Sequence, residues 1–582
     1  MGTTPLAISA LIRKLNDMDG KSYRKYGALS NNTYDAQNYL MRFLHIQRSP
    51  GAFPASVVQL EMDHRNLELD GAFLSNPPRR LATADYLLRR LREAVQTHAR
   101  QNRGAQGSGS FQPLELPPQV LQRNLVHFDH GALRLAFHIS LPGSKENRIV
   151  AAHAIAMFEE ELPAIIRHLR KAAGSGKALK VHCDVVEDMI DLQGRLSRYN
   201  LVAFVGDGAI LPRQSGISSL PLKTGAVAFH APDDLAVKVD MPHAGRVRGL
   251  GIRPGVNVVI GGAFHGKSTL LQALAKAVYP HIPGDGRERV VTHPDAAVIC
   301  SEEGRAVTGL DISGFIDRLP SRKSTRRFST SNASGSTSQA AATVESLLSG
   351  VKMILLDEDT SAANFLARDP NMRRLIPEET IIPLIDRVGE LHRQWRVSTL
   401  MVLGGSSTYL GAADHVVAMR NYQPVNMTGR ALELDLPQPP QPPQPLAICD
   451  RRQVLAGNFD PRYDARRLGK TLDVRIKPLR LQPGVLEYGN QRIDLTCLDA
   501  LVDPHQVMAI GYALLQAGAR LDDRLLSPSD LADALDDLIA GQGLDTLAAG
   551  THAFIPLARP RRLELAAAIN RVRDLQVQYN DD

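Results

Sequence analysis

The sequence predicts an α/β protein in which a central domain carries a phosphate-binding loop, a smaller α+β region precedes it, and a mainly helical region follows. Three stretches carry this prediction. Apolar residues 258–260 run into a glycine-rich loop, apolar residues 352–356 end in two acids, and residues 333–339 between them are small and polar. Apolar strands alternating with helices are typical of parallel sheets, which bind ligands at the carboxyl ends of their strands.

The composition is that of a globular protein with apolar cores. The chain has 582 residues, of which 43% are hydrophobic and 22% charged, and this length predicts about two to four domains. No apolar run is long enough for a transmembrane helix, and residues 1–11 lack a secretion signal. We therefore expect a cytoplasmic location and no membrane partner.

The four cysteines are Cys183, Cys300, Cys449 and Cys497, far apart and without a CxxC pair. Metal sites and disulfides usually need closer spacing or a secreted chain, so we expect reduced thiols in the core.

The charge balance favours a polyanionic partner without establishing one. The net charge is +7 and the pI about 9.2. Residues 1–60 mix Arg and Lys with Tyr and Phe, as surfaces that bind single-stranded nucleic acid do. The same spacing suits a small core with buried tyrosines, and we favour this second interpretation.

The region before the central domain alternates helical and strand patterns. An apolar stripe predicts a helix over 82–101, whose arginines either face water or, with the glycine-rich loop 102–111, hold phosphates. We also predict a strand over 132–141 and a helix over 147–170 that bends at Pro163. A buried strand over 201–205 leads into a turn with Arg213, for which a structural role is the default.

The glycine-rich loop matches the phosphate-loop pattern Gly-x4-Gly-Lys-Ser completely. An apolar strand precedes it and a helix follows, so backbone N–H groups and the helix dipole would face the phosphates of ATP. Lys267 would reach the terminal phosphates, and the Ser268 hydroxyl would bind Mg²⁺. The predicted binding residues are Gly261, Gly262, Ala263, Phe264, His265, Gly266, Lys267, Ser268 and Thr269.

Residues 353–359, with two acids at the end of an apolar strand, complete the predicted site. Asp357 would hold Mg²⁺, and Glu358 would act as the general base that polarises the attacking water. Glu303, in a turn after an earlier strand, is either a further metal ligand or a surface residue. The strand predicted over 397–403 ends at a Gly-Gly-Ser-Ser turn.

The small residues 333–338 lead into a helix predicted over 339–348, after a basic stretch at 321–327. Small residues at a helix N-terminus make an anion site, because N–H groups and the dipole favour negative charge there. Ser334, Gly335 and Ser336 are the candidates, and a flexible connector is the alternative.

The order of these motifs resembles that of ABC-class ATPases. Three details differ from transporter subunits: the signature stretch reads Ala-Ser-Gly-Ser-Thr-Ser-Gln over 333–339, Asp359 replaces the usual proline, and Gly404–Gly405–Ser406 replace the usual switch histidine. Together these departures resemble the predicted ATPases of the ABC class, a stand-alone family with its own N- and C-terminal regions. The fold class expected is thus a central ABC-type P-loop domain flanked by smaller α+β and mainly α domains.

The resemblance implies several further properties. The working unit would be a head-to-tail homodimer in which Ser334, Gly335 and Ser336 of one subunit cap the ATP of the other. Lys267, Ser268, Asp357 and Glu358 keep their family roles, and Ser406 is the replacement that we predict for the switch histidine. The resemblance to this family also implies an association with RNA.

A proline- and glutamine-rich linker, 435–446, marks the clearest domain boundary. The basic run after it, which includes Arg466 and Arg467, either contacts phosphates or forms a solvated arm. Residues 505–582 are predicted to be mainly helical. The predicted domains are 1–110, 111–245, 246–434 and 447–582, separated by the linker.

The function predicted is that of a cytosolic ATPase that hydrolyses ATP as a dimer, coupled to single-stranded RNA or DNA, with RNA favoured. The main alternative is an ABC ATPase that remodels or regulates proteins without nucleic acid. A transporter nucleotide-binding subunit fits less well, because the signature stretch departs from that class and the appended regions are large.

Overall fold

The structure is a computed structural model in which the chain forms two compact units. Unit 1 comprises Met1–Glu187 with Ala548–Leu557, and unit 2 comprises Asp188–Leu547 with Ala558–Asp582. The domain divisions expected from sequence stay predictions. The described residues are 4–30, 32–52, 54–101, 103–129, 131–216, 218–434, 436, 439–440, 442, 444–459, 475–478, 483–489, 491–521, 525–549 and 554–579.

Unit 1 is built on one mainly antiparallel sheet. Its described strands are β1 (Leu6–Ala7), β2 (Thr33–Asp35), β3 (Leu40–His45), β4 (Ser56–Asp63), β5 (Ser110–Gln112), β6 (Val126–Asp129) and β7 (Ala132–Ser140). They run in the order β1-β2-β3-β4-β7-β5, and β6 also pairs with β7. Its helices are α1 (Ile8–Met18), α2 (Pro77–His98), α3 (Ala151–Ala156) and α4 (Leu162–Gly174), and the division from unit 2 falls within α5 (Lys177–Arg195).

The tyrosines near the N-terminus belong to the core of unit 1. Tyr23, Tyr26 and Tyr34 are buried, and the hydroxyls of Tyr23 and Tyr26 donate to the carbonyls of Leu141 and Pro142. The interpretation of these aromatics as core residues is therefore confirmed.

Two helix predictions for unit 1 are confirmed with altered boundaries. Helix α2 begins at Pro77, five residues earlier than predicted, because Asn76 caps it by accepting from the Arg79 N–H. A π-helical turn, Met157–Glu161, lies between α3 and α4, and the bend at Pro163 stays a prediction. Pro163 follows near the start of α4, directly after this π-helical turn.

A six-stranded sheet forms the centre of unit 2, in the order β13-β16-β17-β11-β18-β19. All neighbours are parallel except β18 and β19. The strands are β11 (Val256–Ile260), β13 (Ala296–Val298), β16 (Met353–Asp357), β17 (Ser398–Val402), β18 (His415–Arg420) and β19 (Gln423–Asn426). Helices α6 (Lys267–Lys276), α7 (Gly335–Leu348), α8 (Ala363–Leu366), α9 (Pro370–Leu375), α10 (Leu384–Trp395) and α11 (Thr428–Leu432) accompany it.

Smaller sheets accompany this centre. An antiparallel sheet has the order β12-β8-β10-β9, and β14 pairs with β15. Their bounds are β8 (Ala203–Gly206), β9 (Ala236–Met241), β10 (Gly245–Ile252), β12 (Val290–Thr292), β14 (Val307–Leu310) and β15 (Phe328–Thr330).

The C-terminal part of unit 2 is mainly helical, as predicted. Its helices are α12 (Pro504–Leu521), α13 (Pro528–Gln542) and α14 (Arg562–Asn570). Its strands are β20 (Arg452–Val454), β21 (Arg475–Pro478), β22 (Pro483–Tyr488), β23 (Gln491–Asp494) and β24 (Val577–Tyr579). Across the described ranges of the whole chain, every helix is too short or too polar to cross a membrane.

The prediction of four reduced core thiols is wrong. Cys300 and Cys497 form a disulfide across a sequence separation of 197 residues, and Cys449 is exposed. Cys183 alone matches the expectation, since it is buried and free. The spacing of the cysteines along the chain does not reveal this bond, because the two residues meet only where the fold brings the end of β13 next to the C-terminal part.

Candidate functional site

Three parallel strands bring the predicted site together at one edge of the central sheet. Asp357 at the end of β16 lies opposite Val402 of β17, and Val402 lies opposite Val259 of β11. The segments that follow these strands therefore leave the sheet side by side. They are the phosphate loop 261–266, the acids at 357–358 and the glycines at 404–405.

The phosphate loop is curled by three residues with positive φ. Gly261 has a φ of 141°, and a Cβ there would lie 2.5 Å from the Met419 carbonyl oxygen, so this position requires glycine. Gly266 has a φ of 94° and Phe264 a φ of 63°. The Phe264 side chain is 93% exposed. Such a curl turns successive N–H groups inward, the arrangement that binds phosphate oxygens.

The start of α6 fits a polyphosphate. Gly266 precedes it without a side-chain cap, so the first N–H groups of the helix are left for an anion. Lys267 Nζ donates to the carbonyls of Gly261 at 2.6 Å and Gly262 at 2.9 Å, which places the ammonium group across the loop. His265 Nδ1 accepts from the Asn421 N–H at 2.8 Å and holds the loop from outside.

The two acids have different surroundings. Asp357 is 8% exposed, and its Oδ1 accepts from the Asp359 N–H at 3.2 Å. The Glu358 carboxylate is less buried, and its Oε2 accepts from the N–H groups of Gly404 at 2.5 Å and Gly405 at 3.1 Å. A hard carboxylate at this edge of the sheet suits Mg²⁺, and a carboxylate oriented by two amides suits a general base.

Gly404 and Gly405 are functional candidates that sequence reasoning missed as partners of Glu358. The available signal was a pair of glycines directly after a strand, since consecutive N–H groups in such a turn form an anion-binding nest. Ser406, predicted instead, bonds within its own turn: its Oγ pairs with Thr408 Oγ1 at 2.7 Å and accepts from the Thr408 N–H. Its role as the replacement for the switch histidine stays a prediction.

Helix α7 starts four residues earlier than predicted, within the small residues. Ser334 is its N-cap and accepts from the Thr337 N–H at 3.4 Å. Ser334 is exposed, while Gly335 and Ser336 are half-buried. The small residues therefore form an accessible helix N-terminus rather than a flexible connector, but their ligand stays a prediction.

Gln339 connects α7 to the segment after the acids. It is fully buried, its Nε2 donates to Ser361 Oγ at 2.9 Å, and its Oε1 accepts from the Ala362 N–H at 2.8 Å. These two hydrogen bonds link the signature helix to residues 361–362, which follow Glu358 closely in the chain.

Of the two adjacent acids, Glu302 is the one that forms ion pairs within the protein. Glu302 binds Arg571 and lies near Arg305, which pairs with Glu345 of α7. Burial raises the pKa of the Glu302 carboxyl, but the charges of Arg571 and Arg305 outweigh burial and place the pKa below its ordinary value. Glu303 is exposed on the adjoining turn, and its role as a metal ligand stays a prediction.

The turn with Arg213 is structural, as the default interpretation held. Arg213 pairs with Asp285 at 2.8 Å, and Asp285 also pairs with the buried His281 at 2.6 Å. A Cβ on Gly286 would lie 2.7 Å from Ile210, so the second glycine turn packs directly against the first.

The basic run after the linker was a candidate phosphate contact. Arg462, Arg466, Arg467, Lys470 and Arg480 lie outside the described residues, as do residues 435, 437–438, 441 and 443 of the linker.

Comparisons with known proteins match three successive parts of the chain. A family model described as the N-terminal part of ATPases of the ABC class matches residues 8–172. An ABC ATPase model described as a P-loop domain matches residues 175–445, and one described as the MRB1590 C-terminal domain matches residues 483–578.

Among curated proteins, the chain is similar to the uncharacterized protein MJ1628 of Methanocaldococcus jannaschii. The two are 33% identical over 143 residues, which is 24% of this chain and 32% of that protein, so the match spans about a third of that relative.

Among solved structures, the chain is similar to cbiO1 from Clostridium perfringens, described as part of the ABC transporter complex cbiONQ. The identity is 13% and the TM-score 0.26, over 40% of this chain and 91% of that one. It is also similar to the ADP conformation of MJ1267, described as an ATP-binding cassette of an ABC transporter. Here the identity is 12% and the TM-score 0.25, over 40% of this chain and 93% of that one.

Proposed function

Because the chain belongs to the stand-alone P-loop ATPases of the ABC class, we propose that it hydrolyses ATP at the carboxyl edge of its central sheet. One observation carries this proposal. The phosphate loop, the Asp357–Glu358 pair and the Gly404–Gly405 turn follow adjacent parallel strands in register, so a triphosphate on the loop would lie beside the acids.

Each residue has a distinct role in the proposed reaction. Lys267 turns from the loop carbonyls to the terminal phosphates, and the N–H groups at the start of α6 bind phosphate oxygens. Ser268 and Asp357 would hold Mg²⁺, which would supply positive charge that offsets the negative charge of the phosphates. Glu358, oriented by the amides of Gly404 and Gly405, accepts a proton from the attacking water.

Substitution of the base separates hydrolysis from binding. We expect Glu358→Gln to lower kcat for ATP at least about 100-fold, as loss of a general base does, while the Kd for ATP stays unchanged. Lys267→Ala should instead abolish ATP binding. Unchanged turnover in Glu358→Gln would refute the assigned base.

A Mg²⁺ titration of Glu303→Gln tests the remaining metal candidate, since loss of a ligand raises the Mg²⁺ concentration needed for activity.

We also propose that the site is completed in a head-to-tail dimer. Support comes from the exposed N-terminus of α7, where Ser334, Gly335 and Ser336 offer N–H groups and a helix dipole to an anion. A mixing experiment tests this. Ser336→Glu places negative charge at the signature stretch, and Lys267→Ala removes the charge that binds the phosphates. If sites are shared, the two inactive variants regain ATPase activity when mixed, because one site of each mixed dimer is intact. No recovery argues that each chain acts alone.

The proposed activity is coupled to single-stranded nucleic acid, with RNA favoured. Support comes from a basic loop, residues 318–327, which connects β14 to β15. Its exposed cations are Arg318, Arg322, Lys323, Arg326 and Arg327. The nearest acid in sequence, Asp317, lies 3.7 Å from Arg318. Strand β15 ends at Thr330, four residues before the N-cap of α7, so a ligand on this loop lies close in sequence to the signature stretch.

Filter binding of a single-stranded RNA across salt concentrations tests the coupling. We expect Arg322→Glu with Lys323→Glu and Arg326→Glu to weaken binding and to reduce the salt slope, by about 0.7 for each RNA phosphate that the variant no longer neutralises. The control is a triple variant with the same charge change on exposed residues of unit 1: Lys21→Glu, Arg24→Glu and Lys25→Glu. Absence of RNA and DNA binding at low salt would favour the protein-remodelling alternative.

A further inference from the structure

The disulfide between Cys300 and Cys497 ties the C-terminal part of unit 2 directly to the central sheet. Cys300 lies two residues after the end of β13, and Cys497 lies three residues after the end of β23. The bond spans a sequence separation of 197 residues, which contains the signature stretch, both acids and the linker. It therefore joins the C-terminal part to the sheet by a covalent route that bypasses the linker.

The residue after Cys300 contacts two segments of the proposed active site. The Ser301 N–H donates to the Thr360 carbonyl at 2.9 Å, and Thr360 follows Glu358 by two residues. A Cβ built on Gly335 would overlap Ser301 Oγ, so the Ser301 side chain packs directly against the start of α7. The short segment 300–302 thus lies between the strand end that carries the base and the signature stretch.

Glu302 gives the same segment a second anchor in the C-terminal part. Its N–H donates to Ser338 Oγ in α7 at 2.9 Å, and its carboxylate pairs with Arg571 after α14. Residues 300–302 are therefore held by the C-terminal part in two ways, by the disulfide and by this ion pair. Loss of one anchor leaves the other in place, so the segment should shift rather than unfold.

The two sulfur atoms differ in accessibility. Cys300 is 8% exposed, whereas Cys497 is half-buried, so the thiolate of a dithiol reductant reaches Cys497 Sγ more readily. Its attack forms a mixed disulfide with Cys497, and the Cys300 thiolate leaves and takes up a proton. The second thiolate of the reductant then attacks the first and releases Cys497. The dithiol is oxidised to a disulfide, and the protein disulfide is reduced by the same two electrons.

From these observations we propose that the Cys300–Cys497 bond is a redox switch on the ATPase. The disulfide holds residues 300–302 in the position that supports Glu358 and α7, and its reduction by a dithiol slows hydrolysis. The inference rests on the proposed function, since ATP turnover is the quantity that the switch controls. In compartments that keep thiols reduced, disulfides are usually transient and redox-sensing, which fits a bond that forms and breaks.

Reduction of the wild-type protein tests the switch without a mutation. The full-length protein is oxidised with glutathione disulfide or reduced with dithiothreitol, and mass spectrometry of its peptides records the Cys300–Cys497 pairing. We expect reduction to lower kcat about 5-fold, less than the roughly 100-fold that misplacement by about 1 Å can cost. The Kd for ATP should not change, because the phosphate loop is a separate segment. Reoxidation should restore kcat.

A second measurement separates a shift of the segment from unfolding. Turnover is measured at a temperature at which circular dichroism shows both redox forms to be fully folded. In Arg571→Ala the disulfide is the remaining anchor of residues 300–302, so reduction should lower kcat by a larger factor than in the wild type. Arg559→Ala, which removes an exposed pair in the same C-terminal part, should respond to reduction as the wild type does.

Serine variants give the matched controls. Cys300→Ser and Cys497→Ser should each show the kcat of the reduced wild type and no further response to dithiothreitol. Cys449→Ser should keep the full response, because Cys449 is exposed but free.

The inference is overturned if the bond cannot be formed, or if the oxidised and reduced wild types turn over ATP at the same rate. It is also overturned if reduction changes Kd as much as kcat, if Cys449→Ser abolishes the response, or if Arg571→Ala does not enlarge it. A protein that hydrolyses ATP in neither redox state would instead refute the proposed function, while the recorded pairing still reports on the disulfide itself.

Discussion

Arg571 donates from Nε and Nη2 to both carboxylate oxygens of Glu302, at 3.0 and 2.5 Å. Both side chains are largely buried. Arg571 follows α14 in the C-terminal part, and Glu302 follows β13 of the central sheet. The N–H of Glu302 donates to Ser338 Oγ in α7 at 2.9 Å. The C-terminal part is therefore bonded to the residue that holds the signature helix in place.

Removal of this arginine should destabilise unit 2 strongly. In Arg571→Ala the Glu302 carboxylate stays buried without its bidentate partner, and breaking a buried pair costs about 3–5 kcal/mol of unfolding free energy. Urea unfolding at neutral pH measures the loss. Arg559→Ala is the control, because its pair with Asp536 is about a third exposed on each side and should contribute less than about 1 kcal/mol. Equal losses of unfolding free energy in the two variants would show that the buried pair of Arg571 and Glu302 stabilises the protein no more than the exposed pair does.

The same pair predicts a pH dependence with a defined sign. The pKa of Glu302 lies below its ordinary value of 4.5 in the folded protein, so the unfolded state binds the proton more readily. The stabilisation is then fully present above pH 4.5 and is lost as the pH falls through the folded pKa. In Arg571→Ala, burial still disfavours the charged form of the Glu302 carboxylate, and the positive charge of Arg571 no longer offsets this effect. We therefore expect a higher pKa for Glu302 in the variant.

We therefore expect the stability difference between the wild type and Arg571→Ala to shrink from neutral pH towards pH 4. Urea unfolding of both proteins across this interval measures it. A difference that grows on acidification would contradict the assigned direction of the pKa shift.

The sequence predicts the parts of the site whose chemistry is local. The phosphate loop, its helix and the Asp357–Glu358 strand end are each encoded within about ten residues, because strand, glycine turn and helix start follow directly from residue type and order. The predicted start of α7 was wrong by four residues, because Ser334 caps the helix. A cap depends on a single side-chain hydrogen bond, which periodicity does not show.

The parts that could not be predicted join residues distant in sequence. Glu358 meets Gly404 only because β16 and β17 are neighbours in the sheet, and Arg571 meets Glu302 only through the packing of the C-terminal part. The Cys300–Cys497 bond has the same origin. Periodicity and motifs describe single segments, whereas these contacts depend on tertiary arrangement.

The two amides that orient Glu358 should matter for turnover. Gly404→Pro removes one N–H donor, so the carboxylate loses part of its orientation. We expect kcat for ATP to fall about 10-fold, less than the roughly 100-fold or more assigned to complete loss of a general base, while the Kd for ATP changes little. Gly404→Ala keeps the N–H, and its Cβ would lie 3.6 Å from Glu358 Oε2, an ordinary contact. This control should retain most activity; an equal loss in both variants would indicate a steric effect instead.

Gln339 should couple the signature helix to the catalytic segment. Gln339→Met keeps the side-chain length but leaves the Ala362 N–H without its acceptor, which costs about 1–3 kcal/mol when such a group is buried. We expect lower stability and lower kcat, because residues 361–362 directly follow the segment that carries Glu358. Steady-state ATPase assays and urea unfolding measure the two effects.

Thr343→Val provides the matched control in the same helix. Thr343 is buried like Gln339, but its hydroxyl donates to the Gln339 carbonyl within α7 at 2.8 Å and makes no link to the catalytic segment by that bond. Because that carbonyl already takes part in helix bonding, the hydroxyl contact contributes little to the helix. We expect Thr343→Val to keep kcat near the wild-type value. If Thr343→Val lowers kcat as much as Gln339→Met does, a general loosening of α7 explains both effects. The hydrogen bonds of Gln339 to Ser361 and Ala362 then do not couple the signature stretch to Glu358.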